Sequence, residues 1–165
     1  MIVETKRLLL REINVKDAEF ILRLVNEPSF VSNIGVKGLK NLHDTQRFIR
    51  EGYWTNQEHP GYGMFLVELK KERVPIGGCG LLYRSNLDVT DIVFTFLPEY
   101  WGRGFAYEAA EATLKYGQST LGIKKIVGLT SEDNLGSINL LKKLGMDFDR
   151  TIKMSDDDPG TVLFS

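Results

Sequence analysis

The sequence predicts one mixed α/β domain of the α+β kind, with a central sheet of six to seven strands and about four helices. Two observations lead to this fold class. Three apolar runs between residues 63 and 97 are joined by short polar turns, which is typical of an antiparallel meander. A helical pattern over residues 104–118 then joins the last of these runs to one further apolar run, which predicts a crossover and one parallel strand pair. No linker, repeat or low-complexity tract marks a boundary, so residues 1–165 are expected to form a single domain.

The first elements are a strand and a capped helix. Residues 7–13 form a short apolar run between charges, and Asn14 and Asp17 then have the spacing of a helix cap. The helix should end before Pro28, because a residue that precedes proline avoids helical geometry. The side chains expected to face the core follow the i, i+3, i+4, i+7 spacing and are Ala18, Ile21, Leu22 and Val25.

A loop and a second helix lead into the meander. Residues 29–41 contain glycines without a regular period and predict a loop, and residues 42–53 predict a helix with Phe48 and Ile49 inward. The three meander strands are expected over 63–69, 74–83 and 89–97.

Beyond Pro98 the pattern alternates between helix and strand. The alanines of the first helix permit close packing on the sheet, and its predicted stripe is Phe105, Ala109, Ala112 and Tyr116. The elements expected here are helices over 104–118 and 135–144 and strands over 124–130, 146–154 and 161–164.

Charge and cysteine content exclude several functional classes. The formal net charge is −1 with both signs interspersed, which gives no reason to expect nucleic acid or an anionic membrane as partner. The lone cysteine, Cys79, cannot form an internal disulfide and is interpreted as a small buried apolar residue, and no Cys/His spacing suits zinc. No run approaches the roughly 18 apolar residues of a membrane span. A soluble, cytoplasmic protein without a metal is therefore expected.

The most informative segment is a glycine-containing turn between an apolar strand and a helix. The strand of Phe94, Thr95 and Phe96 passes through Gly102 and Gly104 into that helix. The first amides of a helix lack intrahelical partners and carry the positive end of its dipole, so an anion such as a pyrophosphate fits there. Glycine removes the Cβ atoms that would hold a phosphate away, and Arg103 can add charge.

Four stretches, spread in order over nearly the whole chain, carry a family resemblance. They are residues 4–11 (ETKRLLLR), 76–80 (IGGCG), 91–94 with 98–109 (DIVF and PEYWGRGFAYEA), and 134–137 with 143–146 (NLGS and KLGM). In this combination they resemble the GNAT superfamily of N-acetyltransferases, and within it the branch of ribosomal-protein-alanine acetyltransferases.

The resemblance implies acetyl-coenzyme A as co-substrate, held where the fourth and fifth strands splay apart. The family's pyrophosphate pattern begins with Gln or Arg, and Trp101 stands there instead, which removes one side-chain donor. The implied acceptor is a primary amine, on a protein amino terminus or a small molecule, and the implied assembly is a monomer or homodimer. The implied coenzyme-binding residues are Phe94, Thr95, Phe96, Trp101, Gly102, Arg103, Gly104, Phe105, Ala106 and Asn134.

The expected chemistry is direct attack of a neutral amine on the thioester, without a covalent enzyme intermediate. A backbone N–H at Thr95 or Phe96 would polarise the carbonyl. The resemblance suggests Ser137 as the acid toward the leaving sulfur, although Asn134 and Ser137 also have the spacing of helix-capping residues. Asp91 is the preferred base, and a solvated strand end is the alternative interpretation.

Several alternatives stay open. Glu12, Tyr83 and bulk water compete with Asp91 as base, and His43 and His59 are more typical of packing or surface residues than of chemistry. The same fold also suits a coenzyme-A sensor without transfer activity. A nucleotide-binding domain is disfavoured, because Gly104 is not followed by Lys and then Ser or Thr. Residues 156–158 are acidic and are interpreted as an exposed turn rather than an amine site.

Overall fold

The computed structural model describes residues 2–33, 39–55 and 58–165, which form an open sheet of eight strands with helices on both faces. The order across the sheet is β1-β2-β3-β4-β5-β6-β8-β7. The strands are β1 (Val3–Glu4), β2 (Leu8–Arg11), β3 (Gly63–Leu69), β4 (Pro75–Arg84), β5 (Val89–Phe96), β6 (Ile126–Ser131), β7 (Phe148–Ile152) and β8 (Thr161–Phe164). The α-helices are α1 (Ala18–Val25), α2 (Pro28–Asn33), α3 (Leu42–Glu51), α4 (Phe105–Ser119) and α5 (Leu135–Lys143), with short 3-10 turns at Val15–Asp17 and Pro98–Tyr100.

The pairing confirms the predicted mixed sheet. Strands β1 to β5 pair antiparallel in chain order, β5 and β6 pair parallel, and β8 lies antiparallel between β6 and β7. The parallel pair follows from the α4 crossover, which returns the chain in the same direction.

Strands β5 and β6 stay together over only three residue pairs, from Thr90↔Ile126 to Ile92↔Gly128. Beyond Gly128, β6 continues to pair with β8, whereas the end of β5 keeps only its β4 partner. The sheet therefore opens between the two strands, which confirms the splay expected between the fourth and fifth predicted strands.

Two apolar cores lie on opposite faces of the sheet. One packs α4 and α5 on strand residues such as Leu81, Ile92 and Ile126, and the other packs α1, α2 and α3 around Leu66 and Leu97. The alternation of side chains along β5 places Ile92, Phe94 and Phe96 on the α4 face and Asp91, Val93 and Thr95 on the α1 face.

Three sequence predictions differ from the structure within residues 2–33. Helix α1 buries Leu24, and Leu22 is only half-buried, because both leucines border the same apolar stripe and the sheet contact selects one of them. Helix α2 takes up Pro28 and residues 29–33 of the predicted loop, since proline is well suited to the first position of a helix. The rest of that loop includes residues 34–38, outside the described residues. Strand β1 was not expected, because two residues carry no readable alternation.

Helix α4 also turns a different stripe toward the sheet. Its buried residues are Phe105, Ala109, Ala110, Thr113 and Gly117, whereas Ala112 and Tyr116 are half-buried. A Cβ at Gly117 would lie 2.7 Å from Leu81 Cδ1 and 2.8 Å from Ile126 Cδ1. The close approach of helix and sheet at this glycine decides which side chains are buried.

Candidate active site

The opened end of β5 presents main-chain groups to the gap beside it. The N–H of Leu97 donates to Ile76 O of β4 at 3.0 Å. Successive residues of a strand point their main-chain groups in opposite directions, so Thr95 also faces β4, and Phe94 and Phe96 face the opening. Of the three strand residues singled out from the sequence, two therefore direct polar main-chain atoms into the gap, and Thr95 does not.

Trp101 closes part of this edge. Its indole N–H donates to the carbonyl oxygen of Phe96 at 2.8 Å, although 55% of the residue is exposed. The N–H of Phe96 and the main chain of Phe94 are the groups that stay open. The tryptophan thus ties the turn to the strand end. The sequence showed only that Trp101 replaces the Gln or Arg of the family pattern and did not indicate this role.

The turn before α4 depends on its two glycines. Gly102 and Gly104 have φ of 70° and 79°, in the left-handed region that glycine adopts without strain. The first helical hydrogen bond runs from Glu108 N to Gly104 O. Within the described chain, the six consecutive N–H groups of residues 102–107 donate to no protein acceptor. These amides and the helix dipole make this end of α4 positive.

Residues that the sequence did not predict to be functional support the turn from behind. Glu108, in the first turn of α4, accepts hydrogen bonds from Thr5 and Arg7, and Arg7 also donates to Arg103 O. Thr5 and Arg7 belong to the first family-like stretch and Glu108 to the third. Nothing in the sequence indicated that these stretches meet.

The start of α5 lies at the same edge of the sheet. Strands β5 and β6 are parallel, so the segments that follow their carboxyl ends lie side by side. The Asn134 side chain accepts a hydrogen bond from Ser137 N at 3.2 Å and caps the helix. The Ser137 hydroxyl makes no hydrogen bond within the described residues. The cap is therefore formed by Asn134, and the Ser137 hydroxyl is available for other chemistry.

Asp91 sits where the strands begin to part. It is 1% exposed, and its carboxylate contacts Arg84 Nη2 at 2.9 Å and the N–H of Leu129 at 3.3 Å. Burial raises the pKa of Asp91 from 3.8 to about 7, although the charge and hydrogen bonds of Arg84 and the Leu129 N–H oppose the rise. Asp91 is thus a buried group at the apex of the opening, not the solvated strand end of the alternative interpretation.

The rival base candidates lie elsewhere. Tyr83 pairs across the sheet with Thr90, at the closed end of β5, and its hydroxyl donates to Asp88. Glu12 follows β2, three strands from β5, which corresponds to about 14 Å.

The other polar residues noted in the sequence have local roles. The ring of His59 packs between those of Tyr62 and Tyr83, and His43 is exposed on α3. The Asp158 carboxylate accepts hydrogen bonds from Met154 N, Gly160 N and the Thr161 hydroxyl, so it shapes the turn between β7 and β8.

Cys79 is fully buried in β4, as its interpretation as a small core residue requires. Its sulfur lies 3.3 Å from the Thr113 hydroxyl, and burial raises the pKa of the thiol to about 12. A thiol in this state is a poor nucleophile at neutral pH.

Neither a metal site nor a membrane span is found among the residues that the structure describes. No group of three or more His, Cys, Asp or Glu side chains there is arranged to hold a metal ion. No helix in those ranges has both the length and the apolar character needed to cross a bilayer.

Comparison with known proteins gives consistent matches over most of the chain. Residues 7–147 match the model of the acetyltransferase (GNAT) domain. The chain is 30% identical over 154 residues to the uncharacterized protein YkkB of Bacillus subtilis (strain 168), covering 90% of this chain and 87% of YkkB. It is also 30% identical over 146 residues to the uncharacterized N-acetyltransferase YoaA of the same organism, covering 87% and 81%.

A solved structure shares the architecture. The crystal structure of an acetyltransferase (GNAT family) from Bacillus anthracis superimposes with a TM-score of 0.81 at 24% identity, covering 99% of this chain and 96% of that one. At this level of identity the likeness concerns the fold.

Proposed function

The chain belongs to the acetyltransferase (GNAT) domain family, and we propose that it is an N-acetyltransferase that moves the acetyl group of acetyl-coenzyme A to a primary amine. The family uses acetyl-coenzyme A as acyl donor. The acceptor in this proposal is a protein amino terminus or a small-molecule amine, and the transfer is a direct attack without a covalent enzyme intermediate.

One observation carries the proposal. The sheet opens between β5 and β6 beside a run of six N–H groups that have no protein acceptor in the described chain. The pantetheine arm of coenzyme A is narrow and carries amides, so it can pair with an open strand edge. Its diphosphate needs several donors and positive potential, which the start of α4 supplies.

The assignment of coenzyme contacts follows from the directions of these groups. The diphosphate is assigned to the N–H groups of residues 102–106, with the Arg103 guanidinium at its side. Pantetheine is assigned to the Phe94 carbonyl and to the Phe96 N–H, with Trp101 beside it. Asn134 approaches from the α5 side, and Thr95 contributes no main-chain atom.

The proposed chemistry requires a base, a carbonyl donor and an acid. The amine nitrogen attacks the thioester carbonyl carbon, the carbon–sulfur bond breaks, and the amine loses a proton. Asp91 accepts that proton, directly or through water, because a carboxyl group with a pKa of about 7 is partly ionised at neutral pH. The N–H of Phe94 polarises the carbonyl, because the Phe96 N–H holds pantetheine and the Thr95 N–H faces β4. Ser137 protonates the leaving thiolate and regains its proton from solvent.

The test combines coenzyme binding with turnover. Free thiol is followed after mixing the protein with acetyl-coenzyme A and a panel of amines: a peptide with a free amino terminus, a polyamine, an amino acid and an amine-bearing antibiotic. Thermal unfolding is measured in parallel, where coenzyme at about 100 times its Kd stabilises the fold by about 2.7 kcal/mol. Thiol release with at least one amine supports the proposal. Binding without release indicates a sensor module, and no binding refutes the coenzyme site.

A further inference from the structure

The first turn of α4 is tied to the opening segment of the chain through Glu108. Its Oε1 accepts hydrogen bonds from the Thr5 hydroxyl at 2.7 Å and from the Arg7 N–H at 2.8 Å, and its Oε2 accepts one from Arg7 Nε at 2.6 Å. Partial burial alone raises the pKa of Glu108, but these hydrogen bonds outweigh it and the net change is downward. The side chain is therefore a carboxylate at neutral pH.

Arg7 also holds the turn itself. Its Nη1 donates to Arg103 O at 3.0 Å, and its guanidinium lies 4.4 Å from the centre of the Phe105 ring. A Cβ at Gly104 would lie 3.3 Å from Arg7 Nη2. One side chain thus touches three consecutive residues of the turn and, through Glu108, the helix that follows.

We infer that Arg7 is a positioning residue for the diphosphate cradle, an inference that rests on the proposed function. The carbonyl of Arg103 and the N–H of Gly104 belong to one planar peptide unit and point in opposite directions. Holding the carbonyl behind the turn therefore directs the N–H to the front, where the anion binds. The restraint is needed because this peptide unit turns by rotation about Arg103 ψ and Gly104 φ, and glycine leaves the second of these angles free.

Arg7 has a second effect on the same site. A carboxylate in the first turn of α4 repels a bound diphosphate at close range. The Arg7 guanidinium, in contact with that carboxylate, cancels most of its field at the cradle. A lysine at position 7 retains the positive charge but lacks the planar fork that reaches Glu108 and Arg103 together. Arg7→Lys therefore separates orientation of the peptide from compensation of charge.

The experiment measures steady-state kinetics of the full chain for wild type, Arg7→Met, Arg7→Lys and the matched control Lys6→Met. Lys6 is exposed and next to Arg7 in the sequence, but it makes none of the contacts to the turn. We expect Arg7→Lys to raise KM for acetyl-coenzyme A about tenfold, which corresponds to about 1.4 kcal/mol, and Arg7→Met to raise it further because it also loses the positive charge. For both variants kcat and the KM of the amine should stay within about twofold. Lys6→Met should match wild type.

The comparison of KM for acetyl-coenzyme A with kcat and with the KM of the amine distinguishes a positioning role from a structural one. A purely structural role lowers the folded fraction, and with it the apparent kcat, but leaves KM unchanged. If Arg7→Met does not fold, Arg7→Lys carries the test alone, since it keeps the positive charge beside Glu108 and loses only the fork that also reaches Arg103. An Arg7→Lys variant with wild-type KM overturns the inference, as does a folded Arg7→Met with wild-type KM. If wild type itself neither binds nor turns over acetyl-coenzyme A, the proposed function fails instead.

Discussion

The wild-type protein should lose stability through Asp91 as the pH rises from about 4 to about 8, and the Asp91→Asn variant should not show this loss. In the unfolded chain this carboxyl group has its ordinary pKa, whereas in the folded chain burial raises the pKa to about 7. The folded state therefore holds a proton that the unfolded state has released. The free energy of unfolding that this group contributes is fully present below its pKa in the unfolded chain and is lost as the pH rises through about 7.

The size of the effect follows from the difference between the two pKa values. At 1.36 kcal/mol for each pH unit, a rise from 3.8 to about 7 corresponds to about 4 kcal/mol in all. Somewhat more than half of this, about 2.5 kcal/mol, falls between about pH 5 and about pH 8. Asparagine cannot ionise, so the difference in unfolding free energy between Asp91→Asn and wild type should grow by that amount over the same interval.

Urea unfolding at several pH values measures this difference. The Asp91→Asn variant leaves Arg84 without its counter-ion at every pH, so the diagnostic quantity is the slope against pH and not the offset. Asp88→Asn is the matched control, because it removes an exposed carboxylate from the same β4–β5 hairpin. Curves for Asp91→Asn and wild type that run parallel within about 0.5 kcal/mol would show that Asp91 is ionised throughout. Asp91 would then lack the raised pKa that its proposed role as proton acceptor requires.

Three further predictions concern the turn, the α5 cap and the cysteine. Ser137→Ala should lower kcat at least about tenfold and change stability by less than about 0.5 kcal/mol, since Asn134 forms the cap, whereas Asn134→Ala should lower stability by about 1 kcal/mol. Steady-state rates and urea unfolding measure the two effects, and a wild-type kcat for Ser137→Ala would show that Ser137 takes no part in the chemistry. Gly104→Val should destabilise the fold by about 1–2 kcal/mol and weaken coenzyme A binding more than about tenfold, because a β-branched residue is strained at φ 79°. Calorimetric titration measures the affinity, and an unchanged affinity would contradict the assigned cradle. Cys79 should react with a thiol reagent at about pH 8 only after unfolding, since burial raises its pKa to about 12, and equal labelling rates with and without urea would contradict this.

Local patterns in the sequence determined the order and type of most elements. The meander was readable because its turns are short and its strands apolar, and the α4 crossover because a helical period separates two apolar runs. The glycine-containing turn at Gly102 and Gly104 was likewise readable, since it is a local feature, and the structure added that both glycines have left-handed backbone. A strand–turn–helix that leaves amides unpaired is a local feature, and so the sequence alone was enough to predict an anion site there.

The tertiary structure decided everything that depends on partners far apart in the chain. The contact of Thr5 and Arg7 with Glu108 joins residues about a hundred positions apart, and no local pattern encodes such a meeting. The raised pKa of Asp91 has the same origin, because it depends on burial at the point where β5 and β6 part. The sequence determined which chemical groups are available, and the register and packing of the sheet decided which of them meet and how far each is removed from water.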